Sequence, residues 1–169
     1  MTRLLVIGFL LAVVSVPAPV QGGQEPSGFA GPSWGSPRTA TLDLAEKHCG
    51  FTMDRAPVPT IEVSCNEYQL DGITRPVIPT LQSIDDTLQG YDIVVPLADA
   101  DAFRTALIEK FGTPTLTLGA SLFWKWPSGS EAMVSPYNGS ATLRVVTKAV
   151  LARRAAESKQ QREQIKKGF

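Results

Sequence analysis

Ser33 in GPSWG (residues 31–35), followed by Asp43 and His48, has the letters and the chain order of a G-x-S-x-G hydrolase: a nucleophile, an acid and a base. The surroundings argue against that chemistry. A nucleophile elbow joins a strand to a helix at the top of a large sheet, whereas Ser33 stands in a Gly/Pro stretch of a chain too short for that fold. His48 is the sole histidine, so a histidine general base or a two-histidine metal site has no second candidate. Cys49 beside it offers a thiol, but a structural zinc site requires two further ligands, and no metal or cofactor is expected. Asp99 and Asp101 share the D-x-D start of an EF-hand loop without its downstream Gly and Glu, and fit the start of a helix instead. Asp85, Asp86 and Asp92 are the remaining chemical set. Paired carboxylates can serve a glycosidase-like site, which keeps a small secreted hydrolase as an alternative function; as solvated loop charges they need no such role. No catalytic residue is assigned.

Compartment is more legible. Residues 1–22 place Arg3 before an uninterrupted apolar run from Leu4 to Val14, followed by proline and small residues, the build of a secretory signal. That run of 11 residues falls short of the roughly 20 that a membrane-crossing helix needs. A cut after Gly22 leaves 147 residues, about one domain, expected to be exported and to act as a secreted or periplasmic protein. Its two cysteines, Cys49 and Cys65, are expected to form a single disulfide, since an exported chain meets an oxidising compartment.

Charge is divided along the chain. Residues 148–169 carry seven Lys or Arg against two Glu, while residues 23–147 carry eight against fourteen acids, so a tail of +5 follows a body of −6. Whole-chain basicity that would suggest a specific nucleic-acid partner is absent. The tail's Arg153, Arg154, Lys159, Arg162, Lys166 and Lys167 are candidates for contact with an anionic surface such as a membrane.

The elements that must position any site follow from periodicity. Residues 23–39 are rich in Gly, Pro and Ser and read as a flexible leader. TLDLAEKHCG spaces Leu42, Ala45 and Cys49 for a short helix stopped by Gly50, although Leu42 and Leu44 also alternate as in a strand. TIEVSC (60–65) alternates as a half-buried strand, Asn66 to Gly90 with Pro76 and Pro79 reads mainly as loop, and YDIVVPL (91–97) is β-rich. In ADADAFRTALIEKFGTPT, Phe103, Leu107 and Phe111 make one helical stripe that Gly112 and Pro114 end. Strands then follow through TLTL, SLFWKW, EAMV and ATLRVVT, with turns at PSGS and PYNGS. Asn138-Gly139-Ser140 is both a hairpin turn signal and, in a eukaryote, a glycosylation acceptor. Residues 148–169 are good helix formers without a long apolar stripe. The expected class is α+β: a small antiparallel meander of residues 40–147 packed against one main helix, with a basic helical tail.

A strand through SLFWKW puts Leu122, Trp124 and Trp126 on one face and Phe123 and Lys125 on the other. The larger apolar set should meet the helical stripe. Phe123, Trp124, Lys125 and Trp126 are nonetheless the candidate partner-binding residues, because an aromatic at a strand end beside a turn suits an interface hot spot. The expected function is an exported module that binds a protein or envelope component, with the carboxylate hydrolase and tail-mediated attachment to an anionic surface as alternatives.

Overall fold

The computed structural model describes residues 23–29, 31–54, 60–65 and 78–167; within these, the side chains at 44–45, 48–54, 60–65, 78, 137 and 167 stay outside the description. The expected signal at 1–22 lies outside it as well. Helix α1 (Arg38–Cys49) leads into strands β1 (Gly50–Asp54), β2 (Thr60–Cys65), β3 (Ile78–Ile84) and β4 (Thr87–Pro96). Helix α2 (Ala100–Phe111) is followed by β5 (Leu116–Leu118), β6 (Ser121–Lys125), β7 (Glu131–Tyr137), β8 (Ser140–Val146) and helix α3 (Lys148–Lys167). The α+β class holds.

All described strands join one antiparallel sheet in the order β1-β2-β3-β4-β8-β7-β6-β5. It consists of two meanders joined where β4 meets β8, a join made possible because α2 carries the chain across the sheet to the far edge at β5. Two-residue turns close three of the hairpins, β3–β4, β5–β6 and β7–β8. Asp85 and Asp86 (φ 49° and 56°), and Asn138 and Gly139 (φ 47° and 77°), take the left-handed backbone that matches the twist of the flanking strands.

Period-2 alternation sets the core. Ile93 and Val95 of β4, Leu122 and Trp124 of β6, Ala132 and Val134 of β7, and Leu143 and Val145 of β8 are all buried on one face. Phe103, Leu107 and Phe111 of α2 cover that face as the i, i+4, i+8 stripe requires, and Leu42 of α1 packs beside them. Gly112 (φ 77°) ends α2 and donates its N–H to the Ile108 carbonyl at 2.8 Å. Asp99 stands at the N-cap position of α2, but its carboxylate makes no capping hydrogen bond, so position and not side chain marks the start.

Two expectations need correction. The segment read as a flexible leader is a strap packed on the sheet: Phe29 is 4 % exposed and its ring lies 4.9 Å from that of Tyr91, while Trp34 stacks on Tyr91 from the other side at 5.9 Å. The Gly35 N–H donates to the Leu88 carbonyl and the Leu88 N–H to that of Ser36, and the Trp34 indole donates to Pro26. One buried and one half-buried aromatic thus supply what the mean composition conceals. The second correction is β3, which crosses a stretch read mainly as loop. Pro79 lies just ahead of Thr80, where the β2–β3 pairing begins, and faces Ile93 of β4 near the start of the strand, a position that tolerates proline.

Candidate functional site

The aromatic stretch divides by face, as a strand must. Trp124 is 3 % exposed, meets Phe111 edge-on at 5.7 Å, and donates its indole N–H to the Gly112 carbonyl at 2.8 Å. Trp126 follows the strand, half-buried, and meets Phe111 at 5.6 Å from its other side. Trp124 is therefore an anchor of the core and not a surface on which a partner can dock, a correction to its candidacy. The stripe on α2 claims the larger apolar set, and the end of α2 supplies the acceptor that a buried indole needs. Phe123 and Lys125 point the other way.

Among the described residues, that other face is left largely open. The first two turns of α3 lie over one part of it, where Val150 of α3 and Val146 of β8 are both buried apart from the main core. Registers on successive strands align Leu116 of β5, Phe123 of β6, Met133 of β7, Arg144 of β8 and Asp92 of β4 in one row across the sheet. The row begins apolar and ends in an ion pair. Arg144 donates from Nε and Nη2 to the two carboxylate oxygens of Asp92 at 2.8 and 2.9 Å. Beside the row runs a groove of about 390 Å³ floored by Leu116, Phe123, Met133 and Val146 and walled by Leu151 and Arg154 of α3. Leu116, at its outer end, is 50 % exposed.

Electrostatics around the groove are uneven. Lys125 pairs with Glu131 at 3.0 Å, and Arg144 with Asp92. The Asp92 hydrogen bonds raise the Arg144 pKa above its ordinary value, burial opposes that, and the Coulomb attraction of Asp92 adds to it, so this guanidinium stays charged. Arg154 differs: it donates to the neutral Gln82 side-chain oxygen at 3.0 Å and, among the described residues, pairs with no carboxylate. Replacing Asp92 with Asn leaves Arg144 half-buried without its counter-charge. With both partners partly solvated, the expected loss is about 1–2 kcal/mol, between the values for exposed and buried pairs. Urea unfolding of Asp92→Asn checks this; an unchanged midpoint would make the pair ornamental.

The other candidates do not converge. Asp85 and Asp86 occupy a hairpin tip, whereas Asp92 lies five residues up β4 from Thr87, about 16 Å at strand rise, and is committed to Arg144. Ser33 forms a bridge with Gly28 within the strap, not a strand-to-helix elbow, and the His48 side chain lies outside the described residues. Gly50 pairs with Cys65, which sets the backbone of Cys49 one step from the residue facing Cys65, but both cysteine side chains lie outside the described residues. On α3, Arg153 pairs with Glu157 at 2.9 Å; Lys159, Arg162 and Lys166 are exposed, and the Lys167 side chain is not described. Among the described residues no helix is long and apolar enough to cross a membrane.

Sequence reading missed Leu116, Met133, Arg144 and Leu151 as site residues. Each strand's alternation hinted at them, since Met133 and Arg144 stand out of phase with the buried Val134 and Leu143. Compared with protein-family models, curated proteins and solved structures, the chain matches none.

Proposed function

We propose that the chain is an exported binding module that captures a protein or envelope component on the open face of its sheet, at the groove floored by Phe123. The observation that carries this reading is the apolar floor, left uncovered among the described residues on the sheet face opposite the main core. Solvent-exposed apolar grooves of this kind cost free energy in an isolated domain and mark binding sites. Export rests on the signal-like residues 1–22.

A second reading draws on α3. From Ala155 onward the helix is exposed and runs about 20 Å past the body at 1.5 Å per residue, presenting Lys159, Arg162 and Lys166 to an anionic surface. One experiment separates the two: affinity capture from a native envelope or secretion extract, at low and high salt. The baits are residues 23–169, the Phe123→Ser variant, and a chain ending at Thr147. The groove reading expects a component retained at high salt by the first bait and reduced at least tenfold with Phe123→Ser. Capture indifferent to Phe123 but abolished by salt or by tail removal would replace it with the tail reading.

A further inference from the structure

Resting on the groove reading, we infer that its occupant is a single-chain amphiphile with an anionic head, its alkyl chain lying over Leu116, Phe123 and Met133 and its head at Arg154. Width decides against the bulkier alternatives. Leu116 to Arg144 spans three inter-strand spacings, about 14 Å. Over that length a helix, about 10–12 Å in diameter, would take up roughly 1,100–1,600 Å³, several times the groove's volume of about 390 Å³, and most of it would ride above the rims. An extended peptide fits no better. The floor is the face of a sheet, whose backbone donors and acceptors are spent on neighbouring strands, so a peptide laid there would lose the solvation of its own amides without replacement. A polymethylene chain brings no such groups. The volume also lies near the low end of the roughly 300–1,000 Å³ typical of small-ligand sites, which suits one chain and not two.

Charge selects the head. Of the three cations around the groove, Lys125 and Arg144 already hold carboxylates, while among the described residues Arg154 holds only the neutral Gln82 oxygen. A half-buried guanidinium with an unspent charge beside an apolar floor attracts a carboxylate or phosphate more strongly than it would in water, and its planar fork fits either. Leu151, one turn before Arg154 on α3, closes the same wall, so apolar wall and positive charge come from one helix face. A fatty acid and a lysophospholipid share this chemistry.

The test titrates residues 23–169 calorimetrically with laurate, lauroyl-lysophosphatidate and the uncharged dodecyl maltoside, each below its micelle concentration. The expected result is binding of about one molecule per chain, with at least one anion tenfold or more tighter than the maltoside. Whichever of laurate and lysophosphatidate binds tighter identifies the source of the head. Arg154→Gln should remove that preference and leave maltoside affinity unchanged, while Phe123→Ser should weaken all three. Equal affinity for charged and uncharged ligands, unaffected by Arg154→Gln, would overturn the anionic head and leave the groove reading standing. No binding of any amphiphile, alongside Phe123-dependent capture from extract, would overturn the amphiphile and point to a protein partner. Loss of both would remove the groove reading itself.

Discussion

Trp124→Ala is expected to destabilise the protein by about 3–5 kcal/mol, the largest effect of any single aromatic replacement in the SLFWKW stretch. Three terms are lost together. The ring is 3 % exposed, so its removal opens a cavity between β6 and α2; its edge contact with Phe111 at 5.7 Å disappears; and the Gly112 carbonyl loses its 2.8 Å donor at the place where α2 ends. In thermal unfolding this corresponds to a midpoint roughly 10 °C lower for a chain of this size. Trp124→Phe keeps most of the area and loses the donor, and should cost about 1–3 kcal/mol. The urea midpoints of both variants check the ordering. A Trp124→Ala protein as stable as the parent would mean that this tryptophan is not in the core and would return it to the candidate binding surface.

Phe29→Ala should cost about 3 kcal/mol, although it lies in a segment whose composition suggests a tether. The side chain is 4 % exposed and packs against Tyr91, on which Trp34 also stacks, so its loss opens a cavity beside that ring. Backbone bonds from Gly35 and to Ser36 then hold the strap against β4 with one side chain fewer to seat it. Urea unfolding again gives the number. A change within about 0.5 kcal/mol, as for an ordinary surface substitution, would show that the strap contributes nothing to the fold.

These two positions also show what a single sequence can and cannot reveal. Trp124 was readable in its structural role because the signal is local: alternation along β6 put it with Leu122, and a helical stripe of matching apolar character lay a few residues upstream. The α2 stop at Gly112 and the Asn138-Gly139 turn were legible for the same reason, since each depends on the conformation of one or two residues. Phe29 was not, because its burial depends on Tyr91, more than sixty positions away, and the glycines and prolines around it pull any window average toward disorder. The groove fails similarly. Leu116, Phe123, Met133 and Arg144 belong to four strands, and only the register brings them into one row. Arg154 looked like one basic residue among seven in a tail until the first turns of α3 were seen to lie against the sheet and seat it at the groove.

Strand β5 carries a consequence for how these molecules behave in company. It is the edge of the sheet beyond β6, with Leu116 and Leu118 at 50 % and 59 % exposure and neither charge nor proline among its three residues. By composition it is an invitation to crystallise one sheet onto the next. What withholds the invitation is brevity: Pro114 before it and the left-handed Gly119 after it cut the strand to about 10 Å, too short a zipper to hold two chains against their lost freedom. Where the strand stops thus limits how much edge it offers a neighbour, and insertions that lengthen this hairpin are expected to promote edge-to-edge association.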